Sequence, residues 1–314
     1  MSESRFRYLE IGGPVRRRRE VVAQPSGLPV ERVTFRLAET IGAFGEELGQ
    51  FNSPGGLTLD LSGNLYVADS RNNRVQKITL DGEVYGLGGP GLLLHPQGVA
   101  VDTAGFIYIV EQGASRLQKF GPTGHFMFAV GGPHSGTRRF SSPTAIALDS
   151  YHQIYVADTD NNRVTCYTAT GRWHMDLHGP TPDLPLARPQ GVAVDVQGRV
   201  YVSDTLRHRV IRMTPDGKPD GVIGRAGPEP GAFSEPRGLA IDLDGGLWVA
   251  DTGNDRVQKF SPDGQLVCCF PHRPDLGIDL ASPTAVAVDA WGCVYVTDCL
   301  NHRILRLEPE GAAP

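Results

Sequence analysis

The chain has 314 residues, 40% of them hydrophobic, with 39 Gly, 24 Pro and a formal net charge of −5. That length holds one closed repeat domain and a short arm, and it excludes a second domain. No run approaches a membrane span and the N-terminal "MSESRFRYLEIGG" has no signal-like apolar stretch, so a cytoplasmic protein is expected, with neither membrane nor DNA as a partner.

In chain order, residues 1–32 stand outside any repeat and read as a loosely ordered basic arm carrying Arg16, Arg17, Arg18 and Arg19. The repeat domain is assigned to residues 33–314, and from Pro54 onward one register recurs six times. It runs from a lead Pro to a turn Asp six residues on, a brace acid at fifteen, a brace Arg at twenty and a closing Gly at twenty-eight. The copies are Pro54/Asp60/Asp69/Arg74/Gly82, Pro96/Asp102/Glu111/Arg116/Gly124, Pro143/Asp149/Asp158/Arg163/Gly171, Pro189/Asp195/Asp204/Arg209/Gly217, Pro236/Asp242/Asp251/Arg256/Gly264 and Pro283/Asp289/Asp298/Arg303/Gly311. Lead prolines are 42, 47, 46, 47 and 47 residues apart, a period that suits one four-stranded propeller blade.

Each copy opens on an apolar run such as "GVAVD" (98–102), turns through Gly, and continues as "IYIV" (107–110) or "LYVAD" (65–69). These runs are rich in Val, Ile and Tyr and apolar on successive residues, which predicts strands buried on both faces between neighbouring blades. A third strand starts at the brace Arg ("RVQKI", 74–78), and a variable fourth follows the closing Gly ("HFMFAVGG", 125–132). The sixth copy lacks that fourth strand. Residues 42–54 ("GAFGEELGQFNSP") align without gaps on 224–236 ("GRAGPEPGAFSEP"), so residues 33–41 are predicted to supply the missing outer strand and close the ring.

The stretch "PRGLAIDLDGGLWVADTGNDRVQKF" (236–260) resembles the NHL repeat, and the likeness extends over residues 33–311. It implies an all-β, six-bladed propeller of four-stranded antiparallel blades. Its functional implication is broad, since NHL propellers include protein-docking modules, RNA-binding domains, sensor domains and one branch of metal-dependent lyases.

Five cysteines (166, 268, 269, 293, 299) share no offset between copies, which points to free thiols in a reducing compartment. Two loops per blade should open on one face around the channel: the lead-in loop before the lead Pro, and the loop from brace acid to brace Arg. The latter six loops carry eight Arg against eight acids, a balance that lacks the basic stripe RNA binding needs. Because the brace pair recurs in every blade, its role is structural, and function is sought in departures from symmetry.

Those departures centre on blades one and two, where Gly82 to Pro96 is 14 residues against 18 or 19 in later copies. The candidate partner-binding residues are Arg71, His95, Gln97, Glu111, Gln112, Arg188, Gln190, His208, Arg237 and His302. The expected function is a non-enzymatic scaffold that engages a protein or peptide, with no cofactor. The alternative is a metal-dependent lyase or hydrolase holding zinc or calcium through His95, His208 and His302 at the channel mouth; RNA binding is the second alternative.

Overall fold

The computed structural model describes residues 34–89, 91–132, 139–181, 184–270 and 278–310. The basic arm expected over residues 1–32, with Arg16 to Arg19, lies outside them. Among the described residues, twenty-four strands form six separate four-stranded antiparallel sheets. In chain order, β1 is Phe35–Ile41 and blade one is β2 to β5 (Pro54–Leu59, Leu65–Asp69, Arg74–Ile78, Val84–Gly88). Blade two is β6 to β9 (Pro96–Val101, Ile107–Glu111, Arg116–Phe120, Phe126–Gly131), and blade three is β10 to β13 (Pro143–Leu148, Ile154–Asp158, Arg163–Tyr167, Trp173–Leu177). Blade four is β14 to β17 (Gly191–Val194, Val200–Asp204, Arg209–Met213, Pro219–Ile223), and blade five is β18 to β21 (Pro236–Ile241, Leu247–Asp251, Arg256–Phe260, Leu266–Phe270). Blade six is β22 to β24 (Pro283–Val288, Val294–Asp298, Arg303–Pro309), completed by β1.

The second strand of every blade is buried at all five residues, as its unbroken apolar run requires. The core is therefore not central; it is divided among the spaces between neighbouring blades. Tyr66 and Ala68 of blade one pack with Val99, Ile107, Ile109 and Phe120 of blade two in one such cluster. First strands face the axis and are short-chained there, with Gly56, Gly98, Ala145 and Gly238 letting the backbones converge around a narrow channel.

On the face away from the lead prolines, each turn Asp closes the hairpin between first and second strands. In all six, Oδ1 accepts main-chain N–H groups two and four residues on, at 2.8–3.1 Å. The Tyr66 and Tyr108 hydroxyls and the Trp248 indole donate to the other carboxylate oxygen in their blades. Burial, reinforced by Asp60, pushes the Tyr66 hydroxyl up to about 12, which keeps it a donor.

The ring closes as the sequence predicts. β1 pairs antiparallel with β24 from Phe35↔Pro309 to Ile41↔Ile304. The Phe35 ring then meets Phe270 and Trp248 of blade five edge-on, at 4.7 and 5.8 Å, so the clasp is also packed sideways. Phe35→Ala removes that contact and should cost about 3 kcal/mol of unfolding free energy, with Phe35→Leu costing far less. Urea unfolding followed by tryptophan fluorescence measures this; equal stability of Phe35→Ala and the wild type would show that the clasp does not hold the ring.

Candidate functional site at the channel mouth

The mouth is built on six buried carboxylates. Asp69, Glu111, Asp158, Asp204, Asp251 and Asp298 are fully buried, and each binds its brace Arg Nε at 2.5–2.8 Å. Each also accepts a lead-in N–H of its own blade at 2.6–2.7 Å, from Asn52, Leu94, Ser141, Ala187, Ser234 and Ala281. In five blades the brace Arg also reaches a lead-in carbonyl, as Arg256 does to Glu229 at 2.8 Å and Ala232 at 2.7 Å, whereas in blade four the buried Arg209 Nη2 has no partner. Glu111 obeys the same rule. Its extra methylene is absorbed by contacting Arg116 through both oxygens, at 2.5 and 3.1 Å, so its carboxylate is committed to the scaffold.

A second sixfold feature lies at blade junctions. The residue before each lead Pro has positive φ (Ser53, His95, Ser142, Arg188, Glu235, Ser282), and so does the residue before each brace Arg (Asn73, Ser115, Asn162, His208, Asp255, His302). In five junctions the second set ties the first across blades by accepting its main-chain N–H. Asn73 Oδ1 accepts from His95 at 2.8 Å, Asn162 Oδ1 from Arg188 at 2.8 Å and Asp255 Oδ1 from Ser282 at 2.7 Å. His208 Nδ1 accepts from Glu235 and His302 Nδ1 from Ser53, both at 3.0 Å.

This tie places the three histidines. His208 and His302 each commit one ring nitrogen to a different junction, and His95 stands exposed at a third. The structure does not bring them together as a ligand set, and among the described residues no group of three or more His, Cys, Asp or Glu is arranged to hold a metal. Cysteine offers no ready nucleophile, because burial pushes the Cys166 and Cys268 thiols up to about 12 and raises Cys299.

A third interblade bond was not visible in the register. Directly after the brace acid, Ser70, Thr159, Thr205 and Thr252 donate a hydroxyl to the carbonyl of the next lead Pro, at 2.7–2.8 Å. Gln112 and Cys299 stand at this position in blades two and six and break the pattern. One residue further, the loop tips keep no common residue: Arg71, Gly113, Asp160, Leu206, Gly253 and Leu300.

Inside this rim a cavity of about 90 Å³ opens on the axis, with residues from all six blades, including Gln97, Thr144, Gln190, Arg237 and Thr284. Gln97, Gln190 and Arg237 thus share one site. Arg188 lies outside it, exposed and paired with Asp160 at 3.0 Å. The short β5–β6 connection leaves Leu92 and Leu94 39% and 46% exposed, beside His95 and Gln112.

The model of the NHL repeat matches residues 51–78, 140–167, 186–212 and 233–260, in blades one, three, four and five. The chain is an NHL-repeat six-bladed propeller. Blades two and six, outside those matches, keep the NHL brace in full. No curated protein matches the chain. Solved structures similar to this NHL propeller include a streptogramin B lyase (16% identity, 88% of this chain and 98% of that one, TM-score 0.65). Virginiamycin B lyase from Staphylococcus aureus is also similar (16%, 88% and 99%, 0.61). A third is a gluconolactonase from Xanthomonas campestris (18%, 87% and 98%, 0.65). At such identities the likeness is one of fold.

The tie read at His302 makes a test. His302→Ala should lose about 1 kcal/mol of stability, and His302→Asn should match the wild type, since Asn accepts the same bond in blades one and three and tolerates positive φ. Thermal unfolding of both variants decides it: equal stability of Ala and Asn would mean that the junction bond contributes nothing.

Proposed function

We propose that this NHL propeller is a cytoplasmic, non-enzymatic docking module that binds a protein or peptide on its channel-mouth face. The observation that carries the reading is the division of labour at the mouth. The sixfold acids, arginines and positive-φ residues are consumed by bracing, whereas the groups left outward are asymmetric and of mixed character. Phe44, Leu206 and Leu300 are 66%, 51% and 64% exposed on that face, around a polar cavity lined by amides, hydroxyls and one guanidinium. Apolar anchors beside polar groups are the composition of a protein-binding surface. All five cysteines are free, which supports a reducing compartment. Among the described residues no helix is long and apolar enough to cross a membrane.

The competing reading, a metal-dependent lyase or hydrolase, draws on the fold shared with the lyases and the gluconolactonase. It needs side chains that converge, and His208 and His302 are engaged in separate junctions.

Selection of a phage-displayed peptide library on the wild-type protein, counter-screened on the Gln190→Ala/Leu206→Ala/Leu300→Ala variant, tests docking. Enriched peptides should bind the variant about tenfold or more weakly, the scale of losing two apolar anchors. Recovery only of peptides indifferent to these substitutions, or of none, would sink the proposal.

A further inference from the structure

The geometry points to Arg237 as the anchor for a carboxylate presented by the docked partner at the channel mouth; this rests on the docking role proposed above. Arg237 follows the lead Pro of blade five, where Gly55, Gln97, Thr144, Gln190 and Thr284 stand in the other blades, so it brings the one cation to that ring of positions. Its Nε is buried and has no hydrogen-bond partner. A buried donor left unmet costs free energy until an acceptor arrives, and a guanidinium Nε–H is directed in the plane that suits a carboxylate. The nearest acid, Glu235, holds its Oε2 3.8 Å from Nη2 with a side chain 48% exposed, too far for a hydrogen bond and too wet for a strong pair.

The surroundings fit a carboxylate end. Gln97 and Gln190 border the same cavity, and their side-chain amides make no hydrogen bond within the described chain, leaving N–H donors for a second oxygen. The volume, about 90 Å³, is enough for a side-chain tip or a chain terminus. A second cation reinforces the sector: Arg71 is exposed on blade one, and both it and Arg237 act on the Cys299 thiol, drawing it down against the larger upward push of burial. Two guanidiniums thus stand at one side of the mouth, and the broken hydroxyl tie at Cys299 lies between them.

The experiment reads the Arg237 Nε–Hε resonance in proton–nitrogen spectra, assigned by its loss in Arg237→Gln. Three probes are titrated into the intact protein: N-acetylglutamate α-amide, which carries only a side-chain carboxylate; N-acetylglutamine, which carries only a main-chain carboxylate; and neutral N-acetylglutamine amide. The resonance should shift with at least one of the first two and not with the third, and which one responds separates an acidic side chain from a chain terminus. No shift with either carboxylate overturns the inference. Arg237→Lys keeps the charge but lacks the Nε–H, and it should weaken the responding probe about tenfold while thermal unfolding stays unchanged; undiminished binding by Arg237→Lys would also overturn the anchor. Failure here is distinguishable from failure of docking. Peptides that lose affinity for a Leu206→Ala/Leu300→Ala variant, which leaves Gln190 in place, yet bind Arg237→Gln as tightly as wild type leave the docking face standing and remove only the carboxylate anchor.

Discussion

The structure depends on a carboxylate taken fully out of water once per blade. Burying an ion is expensive, and removing one partner of such a pair typically costs about 3–5 kcal/mol. The cost is offset because each of these carboxylates is met by at least three hydrogen-bond donors. In blade five, Asp251 receives the Ser234 N–H, the Asn254 amide, the Arg256 Nε and the Gln258 amide, at 2.6–3.0 Å. These donors come from the lead-in loop, the second loop and the third strand, so one side chain fixes the relation of all three. The mouth is therefore rigid for a structural reason, and loops that look long in sequence are held at their bases.

Much of this was legible in the sequence because it repeats. Six registered copies revealed the blade, and the alignment of 42–54 on 224–236 located the clasp, since a missing strand leaves a gap that only one other segment can fill. The interblade ties were not legible. They run from a side chain to a main-chain group of the next blade, 22 to 31 residues away except at the ring closure, where His302 and Ser53 are 249 apart, and a main-chain partner leaves no mark on residue identity. One clue was available: Asn, Asp and His at the position before the brace Arg are the residue types that tolerate positive φ and carry a short acceptor. Read that way, His208 and His302 belong to the scaffold. Glu111, conspicuous in sequence as the one non-Asp brace, is likewise absorbed by a second contact to Arg116.

The useful asymmetry lies elsewhere, at positions where the repeat demands nothing. The loop-tip side chains and the residue after the lead Pro have no bracing role common to all six blades, so they are free to differ, and there the chain places Leu206, Leu300, Arg71 and Arg237. A symmetric ring with private loop tips separates stability from recognition: substitutions at the tips leave the buried carboxylates untouched, and the same scaffold accommodates unlike partners.

The clasp has a further consequence during synthesis. The Arg36–Glu308 pair joins strands 272 residues apart in the chain. At about 10 residues per second, β1 is made roughly half a minute before β24 exists to pair with it. Throughout that interval it is an unpaired edge carrying the apolar Phe35, with five nearly complete blades assembling behind it. The strand that leaves the finished ring without an edge is the longest-exposed edge on the nascent chain, and there a chaperone or a misplaced neighbour has its opportunity.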